Sequence, residues 1–151
     1  MKGLYRGFCR NENGTETIVL NGERIKGEWV QGNLVEIPQT IGIRFYIIVG
    51  LSYYNDKYDL GSCSVEVIEE TVCEAVRGLT DRNGKQVFEG DMVKHYHDRS
   101  FPEAFSKGKV FYCPLYLRWK RSSENVDCCL DPDCHYEVIG TIFDEQFAEG
   151  V

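Results

Sequence analysis

The chain has 151 residues, a hydrophobic share of 42% and a formal net charge of −7. That is enough apolar material for one ordinary domain, with sub-lobes expected at 1–62 and 63–151. The acidic balance opposes indiscriminate binding to phosphate backbones or anionic membranes, and a split after Ala75 leaves both parts acidic, at −4 and −3, so neither is a basic arm. No apolar run reaches the roughly 20 residues of a membrane span, and the opening Met1-Lys2-Gly3-Leu4-Tyr5-Arg6 lacks the apolar core of a secretory leader. The expected location is the cytoplasm. There the seven cysteines, odd in number and irregularly spaced, serve as small apolar side chains rather than as a disulfide framework.

In chain order, Thr17 to Leu20, Asn21-Gly22 and Arg24 to Lys26 form a first hairpin, because Asn and Gly both tolerate the positive φ of a two-residue turn. Gly27 to Val30 and Leu34 to Ile37 follow as strands around Gly32-Asn33, with Trp29 and Leu34 as core anchors, giving a β-meander that Pro38 ends. Ile41 to Val49, rich in β-branched and aromatic residues, predicts a largely buried strand, and Tyr53 to Gly61 a loop. Val65 to Val76 supports two readings. Val65, Ile68, Val72, Val76 and Leu79 recur at helical spacing, while the density of β-branched residues argues for extended chain, the preferred reading. From Gly78 onward, short strands alternate with glycine turns: Gln86 to Phe88, Met92 to Tyr96, Val110 to Trp119 and Tyr136 to Phe143. This predicts a small SH3-like or related β-barrel, whose closure hides its edges. Pro114 marks an edge or bulge within its strand. Asp144 stands in position to cap a short C-terminal helix, Glu145 to Glu149.

Gly78-Leu79-Thr80-Asp81-Arg82-Asn83-Gly84-Lys85-Gln86-Val87-Phe88-Glu89-Gly90-Asp91-Met92-Val93-Lys94 resembles the core signature of the YopX family, small proteins encoded by phages and prophages. Tyr5-Arg6-Gly7 with Gly27-Glu28-Trp29-Val30-Gln31-Gly32-Asn33-Leu34 is similar to that family's opening, and Tyr136 to Asp144 to its ending. Thr71 to Arg77 departs from the family's usual run before Gly-Leu. The resemblance implies a mainly β fold and a mobile-element origin. It brings no established activity and no catalytic residues.

The candidate chemistry is sparse. Cys128, Cys129, Cys134 and His135 form one ligand-rich segment, but zinc is usually held by pairs of ligands on two separate turns, so no metal is expected. His95 and His97 share a strand face near Asp91 and Asp98, in the position of an exposed strand end. Asp81, Glu89 and Asp91 are expected to hold turns through bonds to the backbone rather than to work as acid and base.

The basic–aromatic stretch Lys107 to Arg121 is the nucleic-acid candidate: Lys107, Lys109, Tyr112, Tyr116, Arg118, Lys120 and Arg121 could neutralise phosphates and stack bases. Strict alternation instead sets Phe111, Cys113, Leu115, Leu117 and Trp119 against Tyr112, Tyr116, Arg118 and Lys120, the pattern of an ordinary amphipathic strand. The expectation is therefore a non-enzymatic, mainly β protein without cofactor, acting by contact with another protein or with itself. Nucleic-acid binding ranks second and a metal-dependent enzyme third. No membrane partner is expected.

Overall fold

The computed structural model describes residues 3–48, 52–54, 57–59, 64–96, 105–113, 118–123, 126–129 and 135–148. Among them the chain is mainly β, with a single 3-10 turn and a short helix near the C-terminus. No helix among the described residues is long and apolar enough to cross a membrane. The chain divides into two compact units, Met1–Glu74 and Ala75–Val151.

The first unit contains β1 (Tyr5–Arg10), β2 (Glu16–Leu20), β3 (Glu23–Pro38), β4 (Ile43–Ile48), β5 (Ser52–Tyr54), β6 (Lys57–Asp59) and β7 (Ser64–Val67). The Asn21-Gly22 turn between β2 and β3 has φ values of 52° and 80°, as a primed hairpin turn requires. Beyond it the expected turn at Gly32-Asn33 does not occur, and β3 runs unbroken for 16 residues. It serves three antiparallel partners in succession: β2 along 23–27, β1 along 27–32 and β4 along 33–38. Gly32 is a crowding point instead of a corner. A Cβ there would run into the Ile48 carbonyl oxygen and approach Ile47 Cγ2 to 3.1 Å.

Three other expectations change in this unit. Tyr53 to Gly61, expected as a loop, contains the β5–β6 hairpin. Trp29 and Leu34 are half-buried rather than core, Trp29 lying edge-on to the fully buried Phe8 at 5.3 Å. The strand expected to be largely buried is half-buried along its far half, where Ile47 alone among the described residues is inaccessible, whereas Ile43 is 50% and Ile41 92% exposed.

Val65 to Val76 is extended chain interrupted by a 3-10 turn, Glu69–Thr71, that docks on β1. Ile68 N–H donates to the Phe8 carbonyl, and Phe8 N–H donates to Thr71 Oγ1 at 2.9 Å. Thr71 closes the link by donating its hydroxyl to the Ile68 carbonyl at 2.6 Å. A buried threonine thus takes the place of a missing strand partner. β8 (Cys73–Thr80) begins in the first unit, where Cys73 and Glu74 pair with Arg6 and Tyr5.

The rest of β8 belongs to the second unit, with β9 (Gln86–Phe88), β10 (Asp91–Tyr96), β11 (Phe105–Cys113), β12 (Arg118–Ser123), β13 (Val126–Cys129), β14 (His135–Thr141) and α1 (Glu145–Ala148). The expected strand Val110 to Trp119 is two strands, β11 and β12, paired antiparallel with Tyr112 opposite Trp119. Pro114, Leu115, Tyr116 and Leu117 lie outside the described residues.

The sheet order is β13-β12-β11-β10-β14, and it does not close into the expected barrel. The free edge of β14 is satisfied differently. Arg82 N–H donates to the Tyr136 carbonyl at 2.7 Å, and Val138 N–H donates to Asp81 Oδ2 at 3.0 Å. A turn and its carboxylate cap the edge that a closing strand would otherwise cover. Val76, Leu79, Val87, Val93, Val110 and Tyr136 form the buried core beneath, with Trp119 and Val138 packed against it. Near the C-terminus, Asp144 turns back to accept from Thr141 N–H and its hydroxyl, just before α1.

Candidate functional site

The three signature carboxylates were the first candidates for acid–base chemistry, and two of them are engaged by backbone. Asp81, 6% exposed, accepts through Oδ1 from Asn83 and Lys85 N–H at 2.9 and 2.8 Å, and through Oδ2 from Val138. Fully buried Asp91 accepts from Phe88 N–H at 2.7 Å. Both hold turns, as the glycine-rich signature predicts. Gln86 completes the scheme with its side-chain amide, which donates to the carbonyls of Val76, Leu79 and Val87. Glu89 is half-buried.

Gly84 has φ 80°, and no atom lies within 4 Å of a Cβ placed there. Gly84→Val is therefore expected to cost about 1–2 kcal/mol, from backbone strain alone. Gly84→Asn should come close to wild type in urea denaturation, because asparagine tolerates the left-handed region. Equal losses in the two variants would contradict this origin.

Among the described residues, no group of three or more histidine, cysteine, aspartate or glutamate side chains is placed to hold a metal ion. Cys134 and His97 fall outside the described residues. His95 is stacked against Tyr136, ring centroids 5.1 Å apart.

Among the described residues, two surface clefts open in the first unit. One, of about 370 Å³, is lined by Arg10, Asn11, Glu12, Arg24, Ile25 and Lys26. The other, of about 400 Å³, is lined by Cys9, Arg10, Glu66, Val67 and Ile68. Burial, then Glu28 and Glu66, push the Cys9 thiol above its ordinary value. At neutral pH this thiol stays protonated, which is its non-nucleophilic form.

The structure divides the predicted basic–aromatic set. Lys107 and Lys109 are exposed and alternate along β11 on the face opposite Val110. Tyr112, 43% exposed, meets Trp119 edge-on at 5.3 Å, so these two share a face rather than opposing one another. The reason is the reversal between β11 and β12, which resets the alternation. Arg121, one of the cations expected to reach phosphates, is buried. Arg118 and Lys120 occupy register positions opposite Cys113 and Phe111. Tyr116 is outside the described residues.

Other residues, not in the predicted set, gather around Lys107. The Lys94 and Lys107 ammonium groups lie 4.6 and 5.9 Å from the ring centroid of Phe105, which is 39% exposed. Tyr96 is next, 6.3 Å from Phe105, with the Arg82 guanidinium 4.7 Å above its ring. The Tyr96 hydroxyl donates to Glu137 at 2.6 Å. That bond holds the phenol above its ordinary value, against the opposing effect of Arg82. Period-two reading of Met92 to Tyr96 would have found Lys94 and Tyr96, since both oppose buried Val93.

A different surface lies at the β3–β4 hairpin. Its turn is held by Gln39 N–H donating to the Gly42 carbonyl at 2.9 Å, and Ile41 protrudes at its apex. Ile37, 42% exposed, is the register partner of Arg44, while Ile43 pairs with Pro38. Neighbouring register positions face opposite sides, so both faces of this tip carry isoleucine.

Comparison with known families matches residues 24–146 to the family described as YopX protein. No curated protein and no solved structure matches the sequence. The matched span contains all but the first residue of the long strand β3, the Asp81 and Asp91 turns and nearly all of the C-terminal β14–α1 segment, and the chain belongs to the YopX protein family.

Proposed function

We propose that this YopX-family chain is a non-enzymatic protein of a phage or prophage that works in the cytoplasm by binding another protein, with the isoleucine tip of the β3–β4 hairpin as its contact. The observation that carries this reading is the exposure of Ile41, 92%, between two further exposed isoleucines. Apolar side chains on both faces and at the apex suit insertion into a partner's groove, where each would be desolvated. The acidic net charge of −7 limits non-specific adhesion of such a tip. Ile41→Asp with Ile43→Asp should abolish partner capture or self-association, followed by light scattering on a sizing column, and leave thermal unfolding unchanged. Identical assembly by wild type and variant would refute the assignment.

A second reading, binding of single-stranded nucleic acid, is favoured by the Lys94–Phe105–Lys107 cluster with Arg82 and Tyr96 beside it. Its cations can leave the rings for phosphates and free those rings to stack bases. Anisotropy titration with oligothymidylate should then show affinity that falls with salt, with a shallower slope in Lys94→Gln/Lys107→Gln. Absence of binding at low salt would remove this reading and leave the first intact.

A further inference from the structure

Among the described residues of the second unit, Arg121 is a charge buried without compensation. It is 3% exposed, and its Nε and Nη1 are buried without a hydrogen-bond partner. A guanidinium keeps its charge at any pH the fold survives. A charge held inside without counter-charge opposes folding strongly, and an apolar residue of similar reach would relieve that cost.

Yet the fold makes room for this side chain. Arg121 pairs in register with core residue Val110. Its stem lies against Gly108, where a Cβ would come within 2.9 Å of Arg121 Cγ and collide with the Ser122 carbonyl. The buried Tyr136 ring lies 5.6 Å from Arg121 Cζ. Such a ring attracts the cation through its π electrons, but it supplies no oxygen or nitrogen acceptor to Nε and Nη1. Nε and Nη1 donate on different edges of the planar group, and neither of these two atoms has an acceptor. Among the described residues, the buried carboxylates of the unit are Asp81 and Asp91; Asp81 accepts from backbone N–H groups of its turn and of Val138, and Asp91 from Phe88 N–H.

We propose that Arg121 anchors an oxyanion site, in which a phosphate or carboxylate group of a ligand accepts hydrogen bonds along one edge of the guanidinium, through Nε or through Nη1, beside the Tyr136 ring. Planar donor edges backed by an aromatic ring are the arrangement by which arginine selects such groups. The site is separate from the exposed Lys107 and Lys109 positions, which alternate with Gly108 and Val110 along β11. It does not depend on either reading under Proposed function.

The test is thermal unfolding of the full chain in inorganic phosphate, in acetate and in sodium chloride at matched ionic strength. Wild type should melt several degrees higher in phosphate or acetate than in chloride, and the gain should grow with the logarithm of anion concentration once that exceeds Kd. Arg121→Met should melt at or above wild type in chloride and gain nothing from either anion. Arg121→Lys, which keeps the charge and loses the planar edges, should gain less than wild type. Oligothymidylate forms a further arm: a larger gain than from phosphate at equal phosphate concentration identifies a phosphodiester as the ligand, and a smaller one a free anion. Identical melting of wild type in all the salts overturns the proposal, as does an equal gain in Arg121→Met. If Arg121→Met does not fold, calorimetric titration of phosphate and acetate into wild type decides. Saturable, stoichiometric heat with either anion supports the site, and its absence with both overturns it.

Discussion

Asp81→Ala is expected to destabilise the second unit by about 3–5 kcal/mol, the largest effect of any single signature substitution. One carboxylate accepts from Asn83, Lys85 and Val138 N–H, joining the Asn83-Gly84 turn to the edge of β14. Truncation removes acceptors from three donors at once. The exposed turn can offer two of them to water, whereas the Val138 donor loses the group that caps its strand edge. Asp81→Asn keeps one carbonyl oxygen and should lose roughly half as much, because hydrogen bonds to a charged acceptor are worth about 1.5–3 kcal/mol and those to a neutral one nearer 1. Urea denaturation of both variants gives the comparison through the midpoint at constant slope. A loss below about 1 kcal/mol for the alanine variant would show that the turn and the strand edge are held independently of this side chain.

Thr71→Val should cost the first unit about 2–3 kcal/mol, although it preserves volume and shape. Thr71 is fully buried, and its hydroxyl accepts from Phe8 N–H while donating to the Ile68 carbonyl. The Ile68 carbonyl retains the Thr71 N–H at 3.0 Å as a donor. Phe8 N–H has no such reserve in its link to the 3-10 turn, and a valine methyl cannot accept from it. Thr71→Ser, which keeps the hydroxyl and loses one methyl, should cost nearer 1 kcal/mol. The order of the two variants is the test. A serine variant less stable than the valine variant would mean that packing, rather than the hydrogen bond, holds the turn to β1.

The Asn21-Gly22 and Asn83-Gly84 turns, and the backbone-binding roles of Asp81 and Asp91, were determined by sequence because each depends on residues within a few positions of one another. The mainly β class follows from the same local chemistry, repeated by β-branched strands and glycine punctuation. Three features depend on partners distant in the chain. Gly32 lies within a continuous strand because β4 approaches it, which no neighbouring residue announces. The second sheet stays open because Asp81 and Arg82 satisfy the edge of β14 from more than fifty positions away. The predicted basic set is split because β11 and β12 reverse between Cys113 and Arg118, which brings Tyr112 to Trp119 and carries Arg121 into the core. Alternation along one strand assigns faces correctly only while the chain keeps its direction. After a reversal, the pairing register decides which side chains meet, and that register is a property of the folded sheet.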